Sequence, residues 1–110
     1  MDLNEEAVDG AYILHASGRL DSNTAPILEA ALPERVKEKP VVILDLANVP
    51  YVSSAGLRVL LKGAKTAKAS GHKLILTGLA KSVQEVFDIS GFTSIFVIAP
   101  TVDDARSTLS

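Results

Sequence analysis

Two adjacent hydroxyls, Ser53 and Ser54, precede Ala55-Gly56-Leu57-Arg58 and a segment in which Leu57, Leu60, Leu61 and Ala64 recur at i, i+3, i+4 and i+7. That spacing is one face of a helix, so the serines stand at its start. A serine there can cap the helix by accepting a backbone N–H. Its hydroxyl is also a good place for a phosphate, because free amides and the positive end of the helix dipole stabilise the dianion. A phosphate would put about two negative charges on an exposed surface and change what docks there without unfolding the helix. Arg58, four residues past Ser54, is spaced to touch it. Gly56 in the first turn costs up to about 1 kcal/mol relative to alanine. A glycine at that cost implies that something approaches the backbone closely, another strand or a partner.

Other chemistries have less to work with. Asp45 lies late in the apolar run Val41–Leu46, where a receiver-type phosphoacceptor aspartate would stand. That chemistry needs magnesium held by further acids, and Glu5, Glu6 and Asp9 all precede the first long apolar run. A simpler role for Asp45 is to tie down the Asn48–Tyr51 loop. Val52-Ser53-Ser54-Ala55-Gly56 lacks the first glycine of a nucleophile elbow, and no glycine-rich phosphate loop occurs. His15 falls in a strand expected to be buried and His72 in a polar turn, so packing and solvation account for both. With no cysteine and only these two histidines, disulfides, thiolate metal sites and a Cys nucleophile are excluded. No catalytic residue, metal or cofactor is expected.

The elements that hold these groups follow from patterning. Asp9-Gly10 between Leu3–Val8 and Ala11–Ser17 suits a two-residue hairpin turn. The second arm is apolar on both faces and belongs inside a sheet; the polar first arm belongs at its edge. Val41–Leu46 is a β-branched run too short for a core helix and predicts a central strand. Gly71 suits the left-handed end of the helix that starts near Leu57. A strand at Lys73–Thr77 follows, then a helix carrying Val83, Val86 and Phe87 that stops at Ser90-Gly91, then a strand at Ile95–Ile98. Thr101-Val102-Asp103-Asp104 is a variant capping box opening a last helix through Leu109. Thr24–Lys39 has helical spacing, with Pro33 either kinking it or starting a fresh turn. Strand–helix alternation from Val41 onward means right-handed crossovers and largely parallel strands. The expectation is one α/β domain over residues 1–110, an antiparallel hairpin leading into a mixed sheet with helices packed on it.

Composition narrows the functions available. The 110 residues make one domain with a real core, 47% hydrophobic. A net charge of −2 disfavours a nucleic-acid binder. The acidic start Met1–Glu6 is unlike a signal peptide, and no apolar run approaches the ~18 residues of a membrane span. A soluble cytoplasmic domain, monomeric by default, is expected.

Three separated stretches give the chain a likeness. They are Gly18-Arg19-Leu20-Asp21 followed by Thr24-Ala25; Leu44-Asp45-Leu46 leading through Val49 and Tyr51-Val52 to Ser53-Ser54-Ala55-Gly56-Leu57; and Val83-Gln84-Glu85-Val86-Phe87-Asp88-Ile89-Ser90-Gly91-Phe92. In order and spacing the chain resembles STAS domains, and specifically stand-alone bacterial anti-sigma factor antagonists, from about Leu3 to Leu109. The resemblance implies partner switching by a protein that is not an enzyme. The unphosphorylated antagonist binds an anti-sigma factor that is also a serine kinase, which frees a sigma factor. The kinase phosphorylates the antagonist and the complex separates; a serine phosphatase resets it.

The family serine lies two residues before the Gly-Leu pair, which here is Ser54, and the family aspartate beside it corresponds to Asp21. The partner surface so implied comprises Asp21, Ser53, Ser54, Ala55, Gly56, Leu57 and Arg58. Asp21 equally suits a turn-and-cap role in Asp21-Ser22-Asn23-Thr24. Many antagonists carry aspartate just before the serine; Ser53 stands there instead and is a competing acceptor. Arg58, Lys62, Lys65 and Lys68, with no acid between Ala55 and Lys73, form a solvated face whose Arg58 end could steer an acidic kinase surface. A second class of function compatible with the same fold is a constitutive structural subunit, in a lipid-transport or stress-sensing assembly, with no phosphorylation cycle.

Overall fold

Each strand of the sheet sends alternate side chains to opposite faces, and the two faces are covered very differently. The computed structural model of the chain describes residues 1–8 and 10–107, Thr93 by its backbone alone. The elements run β1 (Asp2–Val8), β2 (Ala11–Ser17), α1 (Ala25–Glu38), β3 (Val41–Asn48), α2 (Ser54–Ala69), β4 (Lys73–Thr77), α3 (Lys81–Ser90), a 3-10 turn (Phe92–Ser94), β5 (Val97–Ala99) and α4 (Val102–Ser107). The sheet has five strands in the order β1-β2-β3-β4-β5. β1 pairs antiparallel with β2, and every later pair is parallel.

Because each crossover moves one strand in the same direction and has the same hand, α1, α2 and α3 land on one face. Leu14, Leu44 and Leu76 from the strands meet Leu28 and Leu32 of α1, Leu60 of α2 and Phe87 of α3 there in one buried cluster. The other face carries a row, Ile13, Ile43 and Ile75, which clusters with Ala99 of β5 and is covered by Ala105 of the short α4. This is why β2 and β3 are apolar on both sides, and why polar β1 sits at the edge.

The hairpin forms with Val8 opposite Ala11; Asp9 lies outside the described residues. α1 runs unbroken through Pro33, which is buried inside it, while Pro26 sits in the first turn. Pro33 therefore neither divides the helix nor starts one. Gly71 ends α2 at φ 72. Thr101 Oγ1 accepts the Asp104 N–H at 3.1 Å, the first half of the expected capping box, but the Asp104 carboxylate takes the Thr101 hydroxyl at 2.9 Å and not the Thr101 N–H. α4 is described to Ser107, and Leu109 lies outside the described residues.

Three expectations need correction. The last strand is Val97–Ala99, not Ile95–Ile98, because the 3-10 turn holds the Ile95 N–H on the Phe92 carbonyl at 2.9 Å and leaves Ile95 55% exposed. His15 is only half-buried, and it bridges two carboxylates. Its Nδ1 lies 2.7 Å from Asp45 Oδ2 and its Nε2 lies 3.1 Å from Glu6 Oε1. Asp45 accepts the Ala47 N–H at 3.0 Å, so it holds His15 and its own strand end, not the Asn48–Tyr51 loop.

Glu6 most, then Asp45, raise the pKa of His15, against the opposing effect of burial. A raised folded value means the pair stabilises fully below the ordinary imidazole pKa of about 6.5 and is lost as pH climbs through the folded value. The side chain is 36% exposed, so solvent screening holds the contribution to about 1 kcal/mol or less. Raising the pH from about 6 to about 8.5 should lower the Tm by at most about 4–8 °C. His15→Gln should remove most of that slope in thermal melts at fixed ionic strength. An unchanged slope would assign it to other groups.

Candidate functional site

Past the end of β2, the chain stays zipped to the loop after β3. Gly18 N–H reaches the Asn48 carbonyl at 3.0 Å, Leu20 N–H the Tyr51 carbonyl at 2.9 Å, and Ser53 N–H the Leu20 carbonyl at 2.8 Å. Leu20 and Val52 form a parallel bridge. The β2–β3 register slips between His15 and Ser17, and such an irregularity bends a strand and re-aims the residues beyond it. The loop carrying Asp21 is thereby held against the loop carrying the serines.

Leu20 is fully buried, and its side chain lies against the first turn of α2. A Cβ on Gly56 would stand 2.6 Å from Leu20 Cγ and 3.1 Å from the Leu20 carbonyl oxygen. The close approach implied by a costly glycine is therefore made by another segment of this chain.

The two serines divide the work at the helix start. Ser53 is the N-cap, in extended conformation at φ −85 and ψ 173. Its Oγ accepts the Gly56 N–H at 3.3 Å, and its carbonyl accepts the Leu57 N–H at 2.9 Å. Ser54 is the first helical residue and is exposed, with no hydrogen bond on its hydroxyl among the described residues. Among the described residues no side-chain base touches that oxygen, and the residue is open to solvent. Arg58 is exposed one turn further on.

Asp21 sits beside this start but does not bond either serine. Its Oδ1 accepts the Asn23 N–H at 3.0 Å and the Thr24 N–H at 3.1 Å, and its Oδ2 lies 3.9 Å from Arg19 Nε. Desolvation opposes ionisation here, but the Asn23 and Thr24 amides prevail and hold the carboxyl below the usual aspartate range. The turn role of Asp21 is thus realised, while the cap role is not. Thr24 does not cap α1 with its side chain; its hydroxyl donates to the Arg19 carbonyl at 2.7 Å.

One pair is absent from the sequence expectations. The Arg19 guanidinium carbon stands 4.3 Å from the centre of the Tyr51 ring, a cation–π contact at the rim of the site. Both residues lie within the three stretches that carry the family likeness, and the signal that joins them is the Leu20–Val52 bridge between their neighbours. A shallow groove of about 330 Å³ runs between α1 and α2, with Ser22 and Glu29 on one wall and Arg58 and Lys62 on the other. Lys62 is 3.0 Å from Glu29, so this member of the basic set is paired across the helices.

Among the described residues, no group of three or more acidic or histidine side chains is placed to hold a metal ion. No described helix is long and apolar enough to cross a membrane.

Comparison with known proteins places these features in a family. The model of the STAS domain matches residues 2–105. BtrV of Bordetella bronchiseptica, described as a candidate anti-sigma factor antagonist, is 44% identical, over 97% of this chain and 93% of that protein. The anti-sigma-B factor antagonist of Listeria monocytogenes is 34% identical, over 89% and 86% of the two chains. The crystal structure of an anti-sigma factor antagonist from Mycobacterium paratuberculosis superposes with a TM-score of 0.88 at 26% identity, covering 98% of this chain and 92% of the other.

The packing at Gly56 has a measurable cost. Gly56→Ala should destabilise the domain by about 1–3 kcal/mol through overpacking, despite alanine's better helix propensity. Ser53→Ala, which loses a long cap bond, should cost about 0.5–1 kcal/mol. Urea unfolding at constant m-value checks both, and a Gly56→Ala protein as stable as the wild type would mean that Leu20 can move aside.

Proposed function

The chain belongs to the STAS domain family, and from that membership we propose that it is an anti-sigma factor antagonist switched by phosphorylation of Ser54. Unphosphorylated, it binds an anti-sigma factor that is also a serine kinase, and so releases a sigma factor. The kinase then phosphorylates Ser54 and the complex separates, until a serine phosphatase restores the hydroxyl. The exchange consumes ATP, which puts it in the cytoplasm. The observation that carries this assignment is the exposed, unengaged Ser54 hydroxyl on the first residue of α2.

The geometry supports Ser54 over Ser53. Ser53 Oγ already accepts the Gly56 N–H, and phosphorylating it would disturb the cap. A phosphate on Ser54 would meet the free amides of the helix start, with Arg58 one turn away and in reach of a charge-assisted contact. It would also stand near the ionised Asp21 carboxylate, so a region that offers a neutral hydroxyl would become strongly anionic. Asp21, Ser53, Ala55 and Arg58 form the surface the kinase grips, Gly56 and Leu57 lie buried beneath it and only support it, and Arg58 can steer an acidic partner toward it. With Ser53 in place of the aspartate common before the acceptor, the unphosphorylated surface carries one negative charge fewer.

Ser54→Ala should bind the cognate kinase like the wild type and stay bound when ATP is added. Ser54→Asp should bind at least about tenfold more weakly, a loss of about 1.4 kcal/mol. Size-exclusion chromatography and calorimetry with the purified kinase read both. If both variants bind and dissociate like the wild type, Ser54 is not the switch. Intact mass of the protein from growing and starved cells is the companion measurement: an acid-stable phosphoryl group on Ser54 is expected. A uniformly unmodified chain would favour a constitutive structural subunit.

A further inference from the structure

At the far end of α2 from Ser54, the sheet leaves a gap. β5 pairs with β4 only from Ile75 onward, with Val97 opposite it, so the edge of β4 at Lys73 and Leu74 carries no strand. Between that edge and the C-terminal half of α2 lies an open groove of about 480 Å³. Its floor is Ala64, Leu74 and Phe96, and its outer side is Ile95 and Val97, each 55% exposed. Large β-branched side chains left this open beside an unpaired strand edge are unusual on a monomer surface unless something covers them.

The charge of the groove says what kind of partner. Lys65, Lys68 and Lys73 line it and no aspartate or glutamate does. None of the three forms a salt bridge among the described residues. The chain as a whole carries −2, so this is a local inversion of sign. The helix dipole accounts for a lysine near the end of α2, but Lys73 is on β4 and gains nothing from it. Three unpaired cations flanking exposed isoleucine and valine suit carboxylates that alternate with apolar side chains.

We propose that this groove is a second docking surface, which takes an extended acidic segment of a partner protein with interleaved apolar residues. The segment runs along the open β4–β5 edge, as strand-adding peptides do. Its apolar side chains cover Ile95, Phe96 and Val97, and its carboxylates meet Lys65, Lys68 and Lys73. The surface lies outside the Ser54 region, so it can stay occupied while the switch changes state.

The test uses the whole chain and a short fluorescein-labelled peptide in which Glu alternates with Val, together with its Gln-for-Glu counterpart. Saturable binding of the Glu peptide is expected by anisotropy. The Gln peptide, and the Glu peptide on a Lys65→Glu/Lys68→Glu variant, should each bind at least about tenfold more weakly, and Lys73→Glu should act in the same direction. Ser54→Asp should leave binding within about twofold, which separates this surface from the phosphorylation switch. Amide shifts on titration should concentrate at Ala64–Lys68, Lys73–Leu74 and Ile95–Val97. Equal binding of the two peptides, binding that survives the double charge reversal, or shifts elsewhere overturns the proposal. So does self-association of the wild type that the double variant abolishes, because the occupant would then be a second copy.

Discussion

The arrangement of the site depends on Leu20 packed beneath Gly56. Its N–H donates to the Tyr51 carbonyl and its carbonyl accepts the Ser53 N–H, and its side chain fills the space a Cβ at Gly56 would need. Three things are fixed by this one insertion: the approach of α2 to the sheet, the direction in which α2 starts, and the distance between the loops carrying Asp21 and Ser54. A residue with no reactive group thus sets where the polar ones stand. Asp21 contributes in the same indirect way, spending its carboxylate on the Asn23 and Thr24 amides and so shaping the turn that delivers Leu20.

Much of this is legible in the chain, for identifiable reasons. Strand runs such as Val41–Leu46 and helix ends such as Gly71 are specified by local chemistry, and they form where local chemistry puts them. The last strand does not: Ile95 and Phe96 satisfy β propensity, but the turn after Gly91 takes the Ile95 amide first and the strand starts two residues late. His15 and Asp45 are misread together, because what each does depends on facing the other across a parallel register that no single stretch encodes. The Arg19–Tyr51 stack is hidden for the same reason. The serines are the most readable part of the site, since capping is a local matter. Only the folded chain separates the capped hydroxyl of Ser53 from the unengaged one of Ser54.

The two faces of the sheet have separate duties. All the long helices gather on one face with Leu14, Leu44 and Leu76, and α2 exposes the serine at its start and the lysines toward its end. The opposite face buries Ile13, Ile43 and Ile75 under a single short helix. It then turns polar at His15 and Asp45, toward the ends of the strands. A helix start and a helix flank both offer surface that a flat sheet cannot.

The strict sequence of neighbours β1-β2-β3-β4-β5 also bears on how the molecule is made. Every strand pairs with the one synthesised just before it, so no strand waits for a distant partner. At roughly 5–20 residues per second on the ribosome, the hairpin can close while β3 is still being translated, and each later strand can add to an edge already outside the tunnel. The serine loop can settle against Leu20 before β4 has left the tunnel. The cover over the isoleucine row follows all five strands, since α4 comes after β5 in the chain, and until it emerges that row stands open on the nascent domain.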